Sequence, residues 1–349
     1  MTTFYKKILS FILFGIPIIC LFLLPCILVL PYQTGGFGSW GIPFGPYDTI
    51  FHQPEYCFVD NIDNFDSLRE AEIISIGDSF SQGGISGYQN FLGHILNTKV
   101  SNFRIKNARP ENTAYTLLKK NLIPKCKILI VESVERAFIK SLSDEFFIFD
   151  NIQEKEIITK KQENIFDYFD NKDLEIRHFD FDIKALTSFY KNKLSLTKKY
   201  KLLYLKEDMF TSKSYSKSLY IYDNINGDGD SELSFKTFSK EQIDIAKNNF
   251  LVLIDEAQKQ KIHIIYLIPT NKYDLYYNYI EKNPYPQDSS FEYFAGFDSS
   301  LFINTKQLLL PYLQQGVKDI YRVNDTHWSI IAAQIVGEHI AEIILDDNK

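Results

Sequence analysis

The sequence predicts an α/β fold, with a parallel sheet and helices on both of its faces. Short apolar runs bounded by turn residues alternate with longer amphipathic stretches, and that alternation implies strand–helix–strand units. The runs read as strands buried on both faces. The chain has 349 residues, 45 % of them hydrophobic, which is enough for one large domain or two small ones with a real core.

The first predicted strand is 73–76, Ile-Ile-Ser-Ile, closed by Gly77. A helical stretch follows at 113–122. The second strand is 127–131, with Ile128, Leu129 and Ile130 inside it. Residues 240–260 predict a long helix, because Ile243, Phe250, Ile254 and Ala257 are spaced to share one face. The third strand, 262–268, stops at Pro269. The last helix, 330–345, repeats isoleucine at 331, 335, 340 and 344. Residues 144–239 break the pattern. They are rich in Lys, Asp, Phe and Tyr and read as an insertion or cap, either contributing aromatics to a substrate site or only packing on the sheet.

Residues 8–30 contain no charged side chain, a run of 23. At 1.5 Å per residue, a helix of that length crosses a hydrocarbon core of roughly 30 Å. Lys6 and Lys7 precede it, and 31–47 carries no Lys or Arg, so the positive-inside rule puts the first residues in the cytoplasm. The expected organisation is a cytoplasmic 1–7, a transmembrane anchor 8–30, an extracytoplasmic lead-in 31–70 and a catalytic domain 71–349. The lead-in begins with a Gly- and Pro-rich stretch whose Phe37, Trp40 and Phe44 suit a membrane interface. A cleaved signal peptide is the alternative. Its apolar region is normally shorter and ends in small residues, although Gly35-Gly36 lies near a possible cleavage point.

A net charge of −6 argues against nucleic acid as a partner. Cys57 and Cys126 are the only cysteines outside the apolar span and read either as a bridge or as two small buried side chains. Histidines 52, 94, 263 and 339 show no metal-ligand spacing. Residues 224–230, Asn-Ile-Asn-Gly-Asp-Gly-Asp, resemble the start of a calcium loop, but Phe235 occupies the twelfth position, where a bidentate Glu is needed. No metal and no cofactor is therefore expected.

Two short blocks carry chemistry. Gly77-Asp78-Ser79-Phe80 follows the first strand, which places a serine hydroxyl at the carboxyl end of the sheet, where open α/β sheets bind ligands. Asn324-Asp325-Thr326-His327-Trp328 precedes the last helix. A histidine two residues from a carboxylate can be oriented by it on one loop while removing the serine proton. Ser79, His327 and Asp325 are thus the candidate catalytic residues.

These blocks resemble the first and last blocks of the SGNH (GDSL) hydrolases. The Asp-Thr-His-Trp form, the run Glu132-Ser133-Val134-Glu135-Arg136 and the segment Ile268-Pro269-Thr270-Asn271-Lys272 are similar to one branch of them. That branch comprises the SGNH-like domains of alginate O-acetyltransferases and related cell-envelope acetyltransferases. The resemblance covers roughly 70–140 and 240–349. It implies an SGNH-like sheet domain, Ser79 as nucleophile, His327 as base, Asp325 as its orienting acid and the Ser79 N–H in the oxyanion hole. It also implies a polysaccharide or oligosaccharide acceptor and a polytopic membrane acyltransferase as acyl donor. Two features differ from the family pattern, and the order of the blocks, that of ordinary SGNH enzymes, differs from the alginate branch. Residues 107–110 lack the usual block-two glycine, and 132–136 lack the block-three asparagine. The His block follows the Ser block, whereas in the alginate branch it precedes it. Arg109 and Arg136 could supply positive charge near the oxyanion, with a structural Arg136–Glu132 pair as the alternative. Asp78 and Trp328 complete the oxyanion and substrate candidates, and Trp328 with tyrosines 273, 276 and 277 could line an acceptor groove. The expected activity is membrane-anchored serine O-acyl transfer. Carbohydrate acetylesterase activity and non-catalytic glycan binding are the alternatives.

Overall fold

A computed structural model describes residues 5, 11–17, 57–62, 65–81, 84–104, 109–144, 200–212, 215–222, 238–287, 290–323 and 325–346. Its strands are β1 (Val59–Ile62), β2 (Ile73–Gly77), β3 (Val100–Arg104), β4 (Ile128–Glu132), β5 (Tyr200–Tyr204), β6 (Ser218–Tyr222), β7 (His263–Ile268) and β8 (Phe302–Asn304). Its α-helices of five residues or more are α1 (Phe65–Arg69), α2 (Tyr88–Leu96), α3 (Pro110–Lys119), α4 (Glu135–Ser143), α5 (Lys240–Lys259), α6 (Lys272–Tyr276), α7 (Thr305–Gln314) and α8 (Ile330–Asp346). Six strands form one sheet in the order β1-β3-β2-β4-β7-β8, and every neighbouring pair is parallel. The chain is α/β, as its sequence predicts.

The apolar runs bury both faces of their strands because successive side chains alternate sides. Ile130, Ile265 and Leu267 face a core built with α2, α7 and α8. Leu129, Val131, Ile264, Tyr266 and Ile268 face a second core built with α3, α4 and α5. In the first core α8 lies so close to α2 that a Cβ on Gly337 would stand 2.6 Å from the Tyr88 carbonyl oxygen. α5 starts at a capping box: Ser239 Oγ accepts from the Gln242 N–H at 3.1 Å, and Gln242 Oε1 accepts from the Ser239 N–H at 3.0 Å.

β1, β3 and β8 go beyond the three strands predicted. β3 was hidden by Ser101 and Asn102, polar residues that are nevertheless buried in the sheet. Within 144–239 the described part includes β5 and β6, an antiparallel ribbon whose Leu219, Tyr220 and Ile221 join the α2/α8 core. The calcium-like segment 224–230 lies outside the described residues. Of the expected membrane span only 11–17 is described, and among the described residues no helix is long and apolar enough to cross a membrane. No disulfide joins Cys57 and Cys126; Cys126 is buried and Cys57 is exposed.

The strand order sets where a ligand can enter. From β2 the chain passes to β3 on one side, then crosses back to β4 on the other side of β2. The connections on either side diverge beyond the carboxyl ends of β2 and β4, where open α/β sheets bind ligands.

Candidate active site

Ser79 opens a single 3₁₀ turn, Ser79–Ser81, that leaves the carboxyl end of β2. The turn is held from three sides. Asp78 Oδ1 accepts from the Phe80 N–H at 3.0 Å and Asp78 Oδ2 from the Val134 N–H at 3.2 Å, tying the turn to the segment after β4. Ser81 Oγ donates to Glu132 Oε2 at 2.7 Å. The Ser81 carbonyl accepts from Gln89 Nε2 and Asn102 Nδ2, each at 2.9 Å, from α2 and β3. Asn102 Oδ1 in turn accepts from Ser75 Oγ at 3.0 Å. Buried polar groups persist when they are paired in this way.

Gly77 is required here by proximity. A Cβ on it would meet Ser81 Oγ at 2.1 Å and Glu132 Oε2 at 2.3 Å. Glu132 is fully buried. Burial first, and then the neighbouring Asp78 carboxylate, raise its pKa well above the ordinary carboxylate range. Burial thus favours its protonated form.

His327 arrives on the loop before α8. An antiparallel bridge between Tyr321 and Trp328 pinches its ends together, and the Ser329 N–H donates to the Ile320 carbonyl at 2.9 Å. Within it, His327 Nδ1 lies 2.7 Å from Asp325 Oδ1, and the His327 backbone N–H donates to the same oxygen at 3.2 Å. His327 Nε2 lies 2.6 Å from Ser79 Oγ. Phe80 packs against the imidazole, ring centres 4.8 Å apart, and against Trp328 at 5.0 Å. Burial opposes charge on Asp325. The His327 imidazole and its hydrogen bonds outweigh burial and hold the carboxyl below its ordinary range. An ionised Asp325 takes the Nδ1 proton as its hydrogen-bond donor, which leaves the Nε2 lone pair facing the serine hydroxyl. Ser79 is exposed, so a substrate can reach it.

The structure thus brings Ser79, His327 and Asp325 into one hydrogen-bonded chain. The other sequence candidates fall elsewhere. Asp78 is an acceptor whose two oxygens occupy the Phe80 and Val134 amides, so its carboxylate braces the turn and offers an oxyanion no donor. Arg109 forms an ion pair with Asp144 and donates to the Lys140 carbonyl at 3.2 Å, at the far end of α4. Arg136 donates to Asn271 Oδ1 at 3.0 Å and does not form the structural pair with Glu132 weighed from the sequence. Trp328 is 5 % exposed and packs on Phe80 and Tyr88, while Tyr273 and Tyr276 are fully buried. These three rings are core, because the loop before α8 and α6 both turn inward onto the α2/α8 core; they line no open groove. Tyr277 is partly buried against the same core. Among the described residues no group of His, Cys, Asp and Glu side chains could hold a metal.

Sequence reasoning missed the residues beneath the turn: Gln89, Asn102 and the position of Glu132. It quoted Lys272 only within a family-like segment and gave no role to this fully buried lysine, whose Nζ meets the loop of His327. A lysine set directly before the buried aromatics of α6 was a signal that could have pointed to it. Compared with known proteins, the chain matches no family model, no curated protein and no solved structure.

Proposed function

We propose that this protein is a serine O-acyltransferase that carries an acyl group on Ser79 and delivers it to a carbohydrate hydroxyl. The observation that carries the reading is the chain Ser79 Oγ–His327 Nε2 at 2.6 Å and His327 Nδ1–Asp325 Oδ1 at 2.7 Å. Ser79 Oγ bonds to the acyl carbonyl carbon as His327 Nε2 takes its proton. The tetrahedral intermediate collapses when His327 returns that proton to the departing oxygen of the donor, leaving the acyl-enzyme. The acceptor hydroxyl then loses its proton to His327, bonds to the acyl carbon and frees Ser79. Asp325 remains ionised throughout. The Ser79 N–H is the oxyanion donor that the resemblance implies, and the neighbouring Phe80 and Val134 amides are already committed to Asp78.

Acetyl as the acyl group, a cell-envelope polysaccharide as acceptor and a polytopic membrane protein as donor rest on the family resemblance. The membrane anchor and extracytoplasmic placement rest on the uncharged residues 8–30 behind Lys6 and Lys7. A second reading, carbohydrate acetylesterase with the same three residues, is favoured by one observation. Trp328, Tyr273 and Tyr276 are buried and Ser79 is exposed, so water reaches the acyl-enzyme and these rings do not bind a sugar. The test uses the purified full-length chain with an activated acetyl ester, with and without oligosaccharides. Acetylated sugar that disappears in Ser79→Ala supports transfer. Hydrolysis alone supports the esterase. The absence of any acyl-enzyme defeats both.

A further inference from the structure

The loop of the base is gripped from inside the protein by one side chain, and we infer that Lys272 is a positioning residue for Asp325 and His327. Lys272 is the first residue of α6, directly after the turn that ends β7, and it is fully buried. Its Nζ donates to the carbonyls of Arg322 at 2.7 Å, Val323 at 3.0 Å and Asp325 at 3.1 Å. An ammonium has three N–H donors and no acceptor, so each of these carbonyls is a fitting partner for it. The Phe210 ring lies beside it, its centre 5.4 Å from Nζ.

Stability alone is a poor reason to keep a charge there. Burying an ammonium is costly, and an apolar side chain of similar length often serves a core as well. What the ammonium adds is direction. It fixes three carbonyls of one short loop, and one of them belongs to the residue whose carboxylate orients the imidazole. With the Asp325 peptide fixed, only two side-chain torsions separate it from the 2.7 Å contact to Nδ1. An uncharged residue would release the three carbonyls, and the Asp325 carboxylate would drift from the imidazole. A misplacement of about 1 Å costs a catalytic constellation about a hundredfold in rate. Lys272 touches no reacting atom and acts through the loop.

This inference rests on the reading of Ser79 as an acyl-forming nucleophile, but half of its test does not. In the full-length protein with ¹⁵N-labelled lysine, one ammonium should exchange slowly with water and couple through its hydrogen bond to the Asp325 carbonyl carbon. The Nδ1–H proton shared between His327 and Asp325 should give a far-downfield resonance that shifts or vanishes in Lys272→Met. An unchanged resonance in folded Lys272→Met, or no protected lysine ammonium in the wild type, overturns the inference whether or not the protein acylates. If Lys272→Met does not fold, the wild-type coupling decides. Where the wild type does acylate, Lys272→Ala should react with an activated acetyl ester about a hundredfold more slowly. Ethylammonium should restore part of that rate, and sodium chloride or ethanol should not. Full acylation by Lys272→Ala, or equal rescue by salt, rejects the positioning role. A wild type that forms no acyl-enzyme but keeps the predicted resonances rejects the proposed function and leaves the positioning of the dyad supported.

Discussion

Gly77→Ala adds one methyl group at the point where β2, β4 and the nucleophile turn meet. The new Cβ would stand 2.1 Å from Ser81 Oγ, 2.3 Å from Glu132 Oε2 and 2.9 Å from Glu132 Cβ. Ordinary contact begins at 3.4 Å, so the Ser81 hydroxyl must retreat by more than an ångström. A flexible side-chain end could do so cheaply, but Glu132 Cβ is fixed to β4 and cannot. Forcing a methyl group into a packed site costs about 1–3 kcal/mol. Breaking the 2.7 Å Ser81–Glu132 hydrogen bond in a dry site adds about 1–3 kcal/mol. Urea unfolding should therefore show a loss of about 2–6 kcal/mol, a large share of a typical domain's stability. The displaced turn carries Ser79, so labelling by a serine-directed fluorophosphonate should slow about a hundredfold. Ser81→Ala removes the closest clashing atom. The double variant should thus be more stable than the sum of the single effects by about 1 kcal/mol or more. A Gly77→Ala protein within about 0.5 kcal/mol of wild type, with unchanged labelling, would refute the close-approach argument.

Ser79→Ala should abolish acyl-enzyme formation detected by intact-protein mass spectrometry, and Asp325→Asn should slow it about 10⁴-fold through the wrong imidazole tautomer. Glu132 keeps its proton in the folded state above the pH at which the unfolded chain loses it, so the folded state binds more protons and stability must fall as pH rises through that window. The slope is at most about 1.4 kcal/mol per pH unit, and chemical denaturation of Glu132→Gln should show it flattened; an unchanged slope assigns the effect elsewhere. Sequencing of the mature N-terminus should find residues 8–30 retained; a chain starting near Gly35 would mean a cleaved signal peptide.

The parts of the fold legible in the sequence were those with uninterrupted apolar runs. β2, β4 and β7 were read within a residue or two because both of their faces are buried, and α5 and α8 because their apolar positions recur on one face. β3 was not legible. Its Ser101 and Asn102 look like loop residues until the nucleophile turn, which supplies the Ser81 carbonyl that Asn102 binds, is placed beside them. The pairing of Ser79 with His327 and Asp325 followed from two local motifs. The misplacement of Arg109, Arg136 and the aromatic groove followed from treating residue type as a guide to direction. A sequence shows that Trp328 adjoins His327, but only packing shows that the indole turns inward onto Phe80.

Ser79 and His327 are 248 positions apart along the chain. Ser79 emerges early in synthesis, beside a central strand of the sheet, while His327 comes just ahead of the final helix. α8 must dock on α2 before the imidazole can reach the hydroxyl, and the Gly337 contact ties that docking to the backbone at Tyr88, a few residues beyond the turn. On the proposed mechanism, a nascent or truncated chain therefore holds an inert serine. On that mechanism reactivity switches on only with completion of the last core layer, so a serine-directed probe would act as a timer for the end of folding.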